Sequence, residues 1–506
     1  MALATYYRRT ATAASQVIGV ASERRFIKAL KESSVGIRFG AVDNLRAEGG
    51  HLADFLVRLF ARVYPRLFLT GGRGTDGVLG ELCDLARDIN PGIDVSEGSS
   101  PSATVVVGDP TYPSGEGIFY VTSQSWLAHL SRRNIPAPGP SRNPLGAAAA
   151  ACLAAAAVFN RAFIGQTGDD DVTVSTWLAN ARGASRGAGA PELSSFMLAP
   201  RTVIVGLGGV GNALIWTLSR LPATGEVWLV DPEAVDLGNL QRYVLARRKD
   251  VGRKKTNLAA SALRSTDIRA HRSATDWDAF VANNGYDWDD VAVSVDSAAG
   301  RRHVQASLPA WIANAWTQAT EVGVSVHPDF GGQGACLSCL YVRDAESPSD
   351  DVRIAKALGL ESRVLEVRKL LVTNEGISAD LLAQIAAHFR VDARQLDPFV
   401  GAPLRRFYSE GICGHAVLPV GSPLAPEPAE EHVPLAHQSA LAGVLLASEL
   451  VARRLGAPGR EARITRADVA RQPLWVQTHP VRARTDGLCF CGDSDYKSAY
   501  HRKYSM

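Results

Sequence analysis

Residues 201–231 constrain this chain more tightly than any other stretch. They read RTVIVGLGGVGNALIWTLSRLPATGEVWLVD. Val203, Ile204 and Val205 form a short apolar run of the kind that makes a buried parallel strand. Gly206, Gly208, Gly209 and Gly211 follow at once, and the residues after them have helical spacing, with Ala213, Ile215, Trp216 and Leu218 sharing a broad apolar side. Strand, tight turn and helix in that order predict an α/β fold with a parallel sheet. Glycines at such a turn let the backbone approach a ligand closely, and the helix N-terminus offers unpaired N–H groups to phosphate. The next strand, EVWLVD, ends in Asp231, 20 residues beyond Gly211, where a ribose hydroxyl would be held. The alternative is a turn needed only for helix–sheet packing; the strand, the helix and the placed Asp231 favour a nucleotide site.

The following connection, DPEAVDLGNLQRYVLARRKDVGRKKTNLAA, selects among nucleotides. A hydride-transfer site needs little after Asp231. Here Asp236, Asn239, Arg242, Lys254 and Lys255 lie in one polar, basic segment that suits phosphates and a departing pyrophosphate. Arg247, Arg248 and Lys249 read instead as a solvated basic loop.

With these residues in view, the stretch resembles the adenylation domain of E1-like activating enzymes, the family of ubiquitin activators and of sulfur-carrier activators. GLGGVG, Asp231, EAVDLGNLQR and VGRKK stand where that family has its glycine loop, strand-end Asp, D-x-V-x-x-x-N-L-x-R stretch and V-G-x-x-K stretch. Glu233 replaces the usual second Asp, and Tyr243 the usual Gln after the arginine. The resemblance implies a Rossmann-like adenylation fold that binds ATP through the four glycines, Asp231, Asn239, Arg242 and Lys255. Further on, the strand DVAVSVD ends in Asp296, facing the ligand crevice of such a sheet. The family pattern D-N-x-x-x-R falls on Asp296 and Arg301, with Ser297 for Asn, and implies Mg²⁺ on Asp296. The other reading of Asp296 is a helix cap.

Composition sets outer limits. A chain of 506 residues predicts two or more domains, and 46% hydrophobic with 21% charged residues fits a soluble globular protein. A net charge of +3 gives no ground for a nucleic-acid or membrane partner. The apolar stretch 146–159 is alanine-rich and reads as a packed internal helix, and the first residues lack the apolar core of a secretory signal. Seven cysteines, several in close pairs, fit reduced cytoplasmic usage with a metal.

The expected organisation has four parts. Residues 1–190 form an accessory α/β domain, either an inactive adenylation-like half or another α/β module, with an amphipathic helix from Leu52, a strand at 103–108 and a segment from 119 that begins extended and turns helical. Arg8, Arg9, Arg38 and Arg46 are its candidates for reaching ATP, and Cys83 and Cys152 read as core. A Gly-, Ala- and Arg-rich linker at 181–192 leads to the nucleotide-binding part, 191–340. A mainly helical insertion, 341–430, and a C-terminal part, 431–506, with a long helix and two strands, complete the chain.

Two sets of cysteines carry chemistry. Cys336 and Cys339 have metal-knuckle spacing, and Cys489 and Cys491 form a second close pair; four thiolates suit one structural Zn²⁺ tying the tail back to the catalytic domain. Cys413 lies between Gly411 and Gly414, with His415 nearby, in a place comparable to the catalytic Cys of ubiquitin-type E1 enzymes. A buried turn Cys or a further metal ligand are its alternatives. The resemblance then implies adenylation of the C-terminal carboxylate of a ubiquitin-like protein, a thioester on Cys413 and transfer to an E2-like partner, most like the E1 proteins of bacterial conjugation operons with antiphage roles. An adenylating enzyme without a thioester step, or a nucleotide-binding scaffold, are the other readings. Two halves in one chain form an internal pseudo-dimer, and whole chains could still pair as a homodimer.

Overall fold

The computed structural model describes residues 4, 6–18, 23–95, 101–165, 171–177, 190–318, 320–342, 349–408, 433–457, 461–469 and 475–504. They fall into two compact units, one of Met1–Tyr7, Ala29–Val342 and Pro434–Met506, the other of Arg8–Lys28 and Arg343–Val433.

Helices α1 (Tyr7–Ile18) and α2 (Glu23–Glu32) precede the first sheet. Its elements run β1 (Val35–Phe39), α3 (Glu48–Val63), β2 (Leu67–Thr70), α4 (Asp76–Ile89), β3 (Ala103–Val107), β4 (Ile118–Gln124), β5 (Leu127–Ser131), α5 (Pro144–Phe159) and β6 (Val172–Ser175). The strand order is β2-β1-β3-β4-β5-β6, parallel as far as β4 and antiparallel beyond it. The helix expected after 119 is instead the β4–β5 hairpin. Its turn is fixed from outside: buried Glu48 accepts from the Ser125 backbone N–H at 2.8 Å and from Ser123 Oγ at 2.6 Å, and Ser125 takes φ 55°. A partner 77 residues away is invisible to local periodicity. In α5 the Asn143 side chain caps the start and every residue is buried. Pro144–Ile164 is long and apolar enough to cross a membrane by length and composition, but α5 packs on α3 and a later helix inside the protein.

The second sheet begins with β7 (Phe196–Met197) and β8 (Thr202–Val205). It continues through α6 (Gly209–Leu218), β9 (Ala223–Val230), α7 (Lys255–Ala262), β10 (Asp267–Ser273), α8 (Trp277–Asn284), β11 (Asp290–Val293), α9 (Ala298–Ala306), β12 (Trp311–Thr317) and β13 (Glu321–His327). The chain then leaves for α10 (Asp350–Ala357), α11 (Val364–Thr373), α12 (Ala379–Phe389) and a single turn α13 (Leu404–Arg406), with Gly359 at φ 67° separating the first two. These helices have their own core of Leu358, Val367, Leu381, Ile385, Phe389 and Phe407. Cys413 lies outside the described residues. The sheet resumes after α14 (Ala436–Arg454) with β14 (Arg463–Asp468) and β15 (Trp475–Pro480), followed by α15 (Ser494–Tyr504).

The order is β10-β9-β8-β11-β12-β13-β14-β15. Within it, β9-β8-β11-β12-β13-β14 repeats β2-β1-β3-β4-β5-β6 strand for strand and direction for direction. The connecting helices correspond as well, α3 with α6 and α5 with α14, and α5 packs against α14.

Candidate active site

The crevice lies where neighbouring strands send their connections to opposite sides, at the C-terminal ends of β8 and β11. The glycines there have different jobs. Gly206 has φ 87°, and a Cβ on Gly211 would sit 2.3 Å from the Gly206 carbonyl oxygen, so both are required by the turn itself. A Cβ on Gly208 would meet nothing nearer than Tyr243 Oη at 3.7 Å. Packing does not demand glycine at 208, at the N-terminus of α6: an added Cβ would make only an ordinary contact there. Gly209 lies under Arg242, whose Cγ would be 3.1 Å from an added Cβ.

Asp231 fastens this loop. Its Oδ2 accepts from the Leu207 N–H at 2.7 Å and its Oδ1 from the Glu233 N–H at 2.9 Å. Burial pushes its carboxyl up, and Lys255 and the two N–H groups only partly offset that. Glu233, two residues on, has a 69% exposed side chain and pairs with Lys255. Lys255 begins α7, is buried, and holds its Nζ 3.9 Å from Asp231 Oδ2 and 5.3 Å from the Tyr243 ring. Burial pulls that ammonium down, but Tyr243, Asp231 and Glu233 together outweigh it, so it is raised and stays charged. The neighbouring Lys254 turns away and donates to the Pro232 carbonyl at 2.8 Å.

The turn between β9 and α7 holds itself in shape. Asp236 Oδ1 accepts from the Gly238 N–H at 2.8 Å while Asn239 Oδ1 accepts from the Asp236 N–H at 2.9 Å, a reciprocal cap on the 3-10 turn Leu237–Gln241. Arg242 ends that turn, with its guanidinium 5.6 Å from the Tyr243 ring. Across the crevice, Asp296 is exposed just beyond β11. It does not cap α9; Ser297 does, accepting from the Gly300 N–H at 3.0 Å. Arg301 donates to Asn314 Oδ1 at 3.0 Å and to the Asp296 carbonyl at 3.2 Å, which fixes the backbone that carries this carboxylate.

Of the arginines expected to reach the nucleotide, Arg38 pairs with Asp109 at 2.7 Å and Arg46 with Asp43 on the surface. Arg9 belongs to the second unit, and the side chain of Arg8 lies outside those described. The first half instead reaches the site through residues that local sequence does not mark. Arg62 Nη1 donates to the Leu240 carbonyl at 3.2 Å and Nη2 to the Ala246 carbonyl at 2.8 Å. Arg58 Nη1 donates to the Val244 carbonyl at 2.9 Å. The available signal was a charged residue at 58 and at 62 inside an apolar helical run.

The four paired cysteines converge. Cys336, Cys339, Cys489 and Cys491 are all buried, with sulfurs within 4.8 Å of one another. The sulfur–sulfur separations Cys336–Cys339, Cys336–Cys489 and Cys339–Cys491 are 3.7, 3.5 and 3.4 Å. Phe330 and Tyr500 pack around them, binding α15 to the sheet.

Residues 192–489, well over half of the chain, match the model of the ThiF family. The chain belongs to the ThiF family. This is the family of E1-like, ATP- and Mg²⁺-dependent adenylating enzymes. Residues 39–164 also match the model described as prokaryotic E2 family C. A protein of Sinorhizobium fredii, y4jF, is 39% identical over 100% of this ThiF chain and 98% of its own length. The SAMP-activating enzyme E1 of Haloferax volcanii is 39% identical over 15% of this chain and 27% of its own, and the ubiquitin-activating enzyme E1-like protein of Saccharomyces cerevisiae 31% over 21% and 17%. These two named activators are therefore matched over less than a third of their length. Among solved structures, E. coli MccB with ATP aligns over 57% of this chain and 67% of that one at 14% identity and a TM-score of 0.36.

Proposed function

We propose that this ThiF-family chain adenylates the C-terminal carboxylate of a ubiquitin-like protein, moves the acyl group from that adenylate to Cys413 as a thioester with release of AMP, and passes it to an E2-like partner. The observation that carries the adenylation step is the charged, buried Lys255 and the Arg242 guanidinium, 5.3 and 5.6 Å from the Tyr243 ring, at a glycine loop where packing does not require Gly208. One carboxylate oxygen of the ubiquitin-like tail attacks the α-phosphorus of ATP, a P–O bond forms, the α–β bridging bond breaks and pyrophosphate leaves. No base is required, because the carboxylate is already ionised. Lys255, Arg242 and the α6 N-terminus stabilise charge as it moves onto the departing oxygens. Asp231 keeps the loop in place, and the exposed Glu233 supplies acceptors for the ribose hydroxyls, a division of labour between the two carboxylates.

The exposed oxygen ligands of Asp296 suit a hard cation, and Mg²⁺ held there would neutralise phosphate charge. The sulfur cluster suits Zn²⁺: a tetrahedron with Zn–S of about 2.3 Å has edges of about 3.8 Å, close to the spacing of these sulfurs. With four protein ligands, that zinc is structural.

We place the transfer acceptor on another protein. In the stretch similar to the prokaryotic E2 family, Cys152 is sealed inside α5, where burial pushes its thiol well up, and Cys83 is half-buried on α4. Non-reducing intact-mass analysis with Mg-ATP and a ubiquitin-like protein tests the whole reading. A thiol-sensitive adduct that disappears in Cys413→Ala is expected. Adenylate and pyrophosphate without any adduct would remove the thioester step and leave adenylation alone.

A further inference from the structure

Helix α3 of the first half carries Asp54, Arg58 and Arg62 at i, i+4 and i+8, one stripe along a helix. Each points at a nucleotide-binding element of the second half. Asp54 Oδ2 accepts from the Trp216 indole N–H at 2.8 Å and from Arg220 at 3.1 Å, on α6 and just beyond it, and from Arg58 at 2.8 Å. Arg58 and Arg62 donate to three carbonyls, those of Leu240, Val244 and Ala246. These carbonyls bracket Arg242, and Asn239 immediately precedes the first. The segment 237–246 has little regular structure, one 3-10 turn and then loop, so its own backbone leaves these carbonyls unpaired in the ladder sense.

The stripe is costly. Arg62 is 1% exposed and Arg58 7%, and burying a guanidinium without a full complement of acceptors is unfavourable unless the bonds it makes matter. Apolar residues at 58 and 62 would leave Asp54 and three loop carbonyls without these donors. Charged forks were placed here, and they meet backbone carbonyls, which carry no side-chain identity and serve only to set the path of a loop.

We infer that Arg58 and Arg62 are positioning residues for nucleotide: the first half sets the path of residues 237–246 and thereby presents Arg242 and Asn239 to ATP. The inference rests on the adenylation reading for its effect on turnover, but the clamp itself is measured without it. It also gives the first half a task that does not depend on any side chain of that half touching ATP.

Full-length Arg62→Met and Arg62→Lys are compared with wild type, with Arg58→Met in reserve if Arg62→Met does not fold. Hydrogen–deuterium exchange over 237–246 is read first. Arg62→Met is expected to lose protection there while α14 and the β8–β11 strands keep theirs. ATP–pyrophosphate exchange is read next, well below the melting temperature. The KM for ATP should rise at least about tenfold, the size of a lost charged hydrogen-bond pair, with a smaller change in kcat. Lysine, with donors but no fork, should recover part of the loss. Unchanged protection of 237–246 overturns the inference, as does a KM for ATP within twofold of wild type. If wild type shows no exchange activity with any tested ubiquitin-like protein, the adenylation reading fails; protection and direct ATP binding of the variants then still decide the clamp.

Discussion

The two halves share a strand order and part company at the first turn. In the second half, β8 runs into a loop where Gly206 is left-handed and a Cβ on Gly208 would meet nothing nearer than Tyr243 Oη at 3.7 Å. In the first half, β1 runs into Gly40, whose added Cβ would lie 1.9 Å from the Gly108 carbonyl oxygen, and then winds into the 3-10 turn Val42–Leu45. Asn44 Nδ2 donates to that same Gly108 carbonyl at 2.6 Å, so the turn is packed by its own side chain. Beyond β11, Asp296 is exposed; at the matching place beyond β3, Asp109 is buried and already occupied by the Thr111 N–H at 3.0 Å, Thr111 Oγ1 at 2.7 Å and Arg38. Topology supplies a crevice twice. Which crevice is a site is decided by a handful of side chains.

The largest effect should come from exchanging the roles of matched residues. Lys255→Ala and Asp296→Asn are each expected to lower ATP–pyrophosphate exchange by about 10²–10³-fold. Arg38→Ala and Asp109→Asn should leave it within about twofold, losing only the local stability of a partly buried hydrogen-bonded ion pair. Calorimetry should count one nucleotide per chain; two would break the comparison outright.

Next in size is the sulfur cluster, which belongs to the second half. Cys491→Ser should release bound metal, measured by elemental analysis, and lower the melting temperature by several degrees. The glycines then sharpen the contrast inside one loop. Gly208→Ala should leave thermal stability unchanged and weaken ATP binding about tenfold, as loss of close backbone approach implies. Gly211→Ala should lower both, because its Cβ has no room.

A pH-dependent effect separate from the site concerns the seam between α5 and α14. His437 is buried against Phe159, at 5.9 Å between ring centroids, and burial pushes its imidazole down to about 3 from its ordinary 6.5. The folded chain thus refuses a proton that the unfolded chain accepts. Its contribution to stability is complete above about pH 6.5 and is lost as pH falls toward 3, at about 1.4 kcal/mol per pH unit. A His437→Phe variant should remove that part of the slope in melting temperature between pH 6.5 and 4.

Much of the second half was legible because its instructions are local. The β8 run, the glycines, Asp231 and the basic segment ending in Lys255 are contiguous, and each follows from backbone geometry or charge. The cysteine pairs were legible because ligand spacing survives even when the pairs are 150 residues apart. What escaped depended on distant partners. The β4–β5 hairpin owes its turn to Glu48, and residues 119–130 alone read as a segment that begins extended and turns helical. Arg58 and Arg62 look like ordinary interruptions of an amphipathic helix until the carbonyls they meet, nearly 180 or more residues on, are in place. Asp231 lies just beyond β9, and the spacing that points it at a ribose does not show that each of its oxygens also holds a backbone N–H of the loop.

The sulfur cluster has a consequence for how the chain is made. Cys489 follows Cys336 by 153 residues. At roughly 5–20 residues per second of synthesis, the second pair emerges about 8–30 s after the first. Throughout that interval Cys336 and Cys339 are an incomplete pair, and α15 is not there to cover them. The strands β8–β13 are complete before that interval begins, and α10–α13 with their separate core, α14, β14 and β15 are synthesised during it. Closure of the cluster is thus a late event that records whether the long excursion between its two halves has returned.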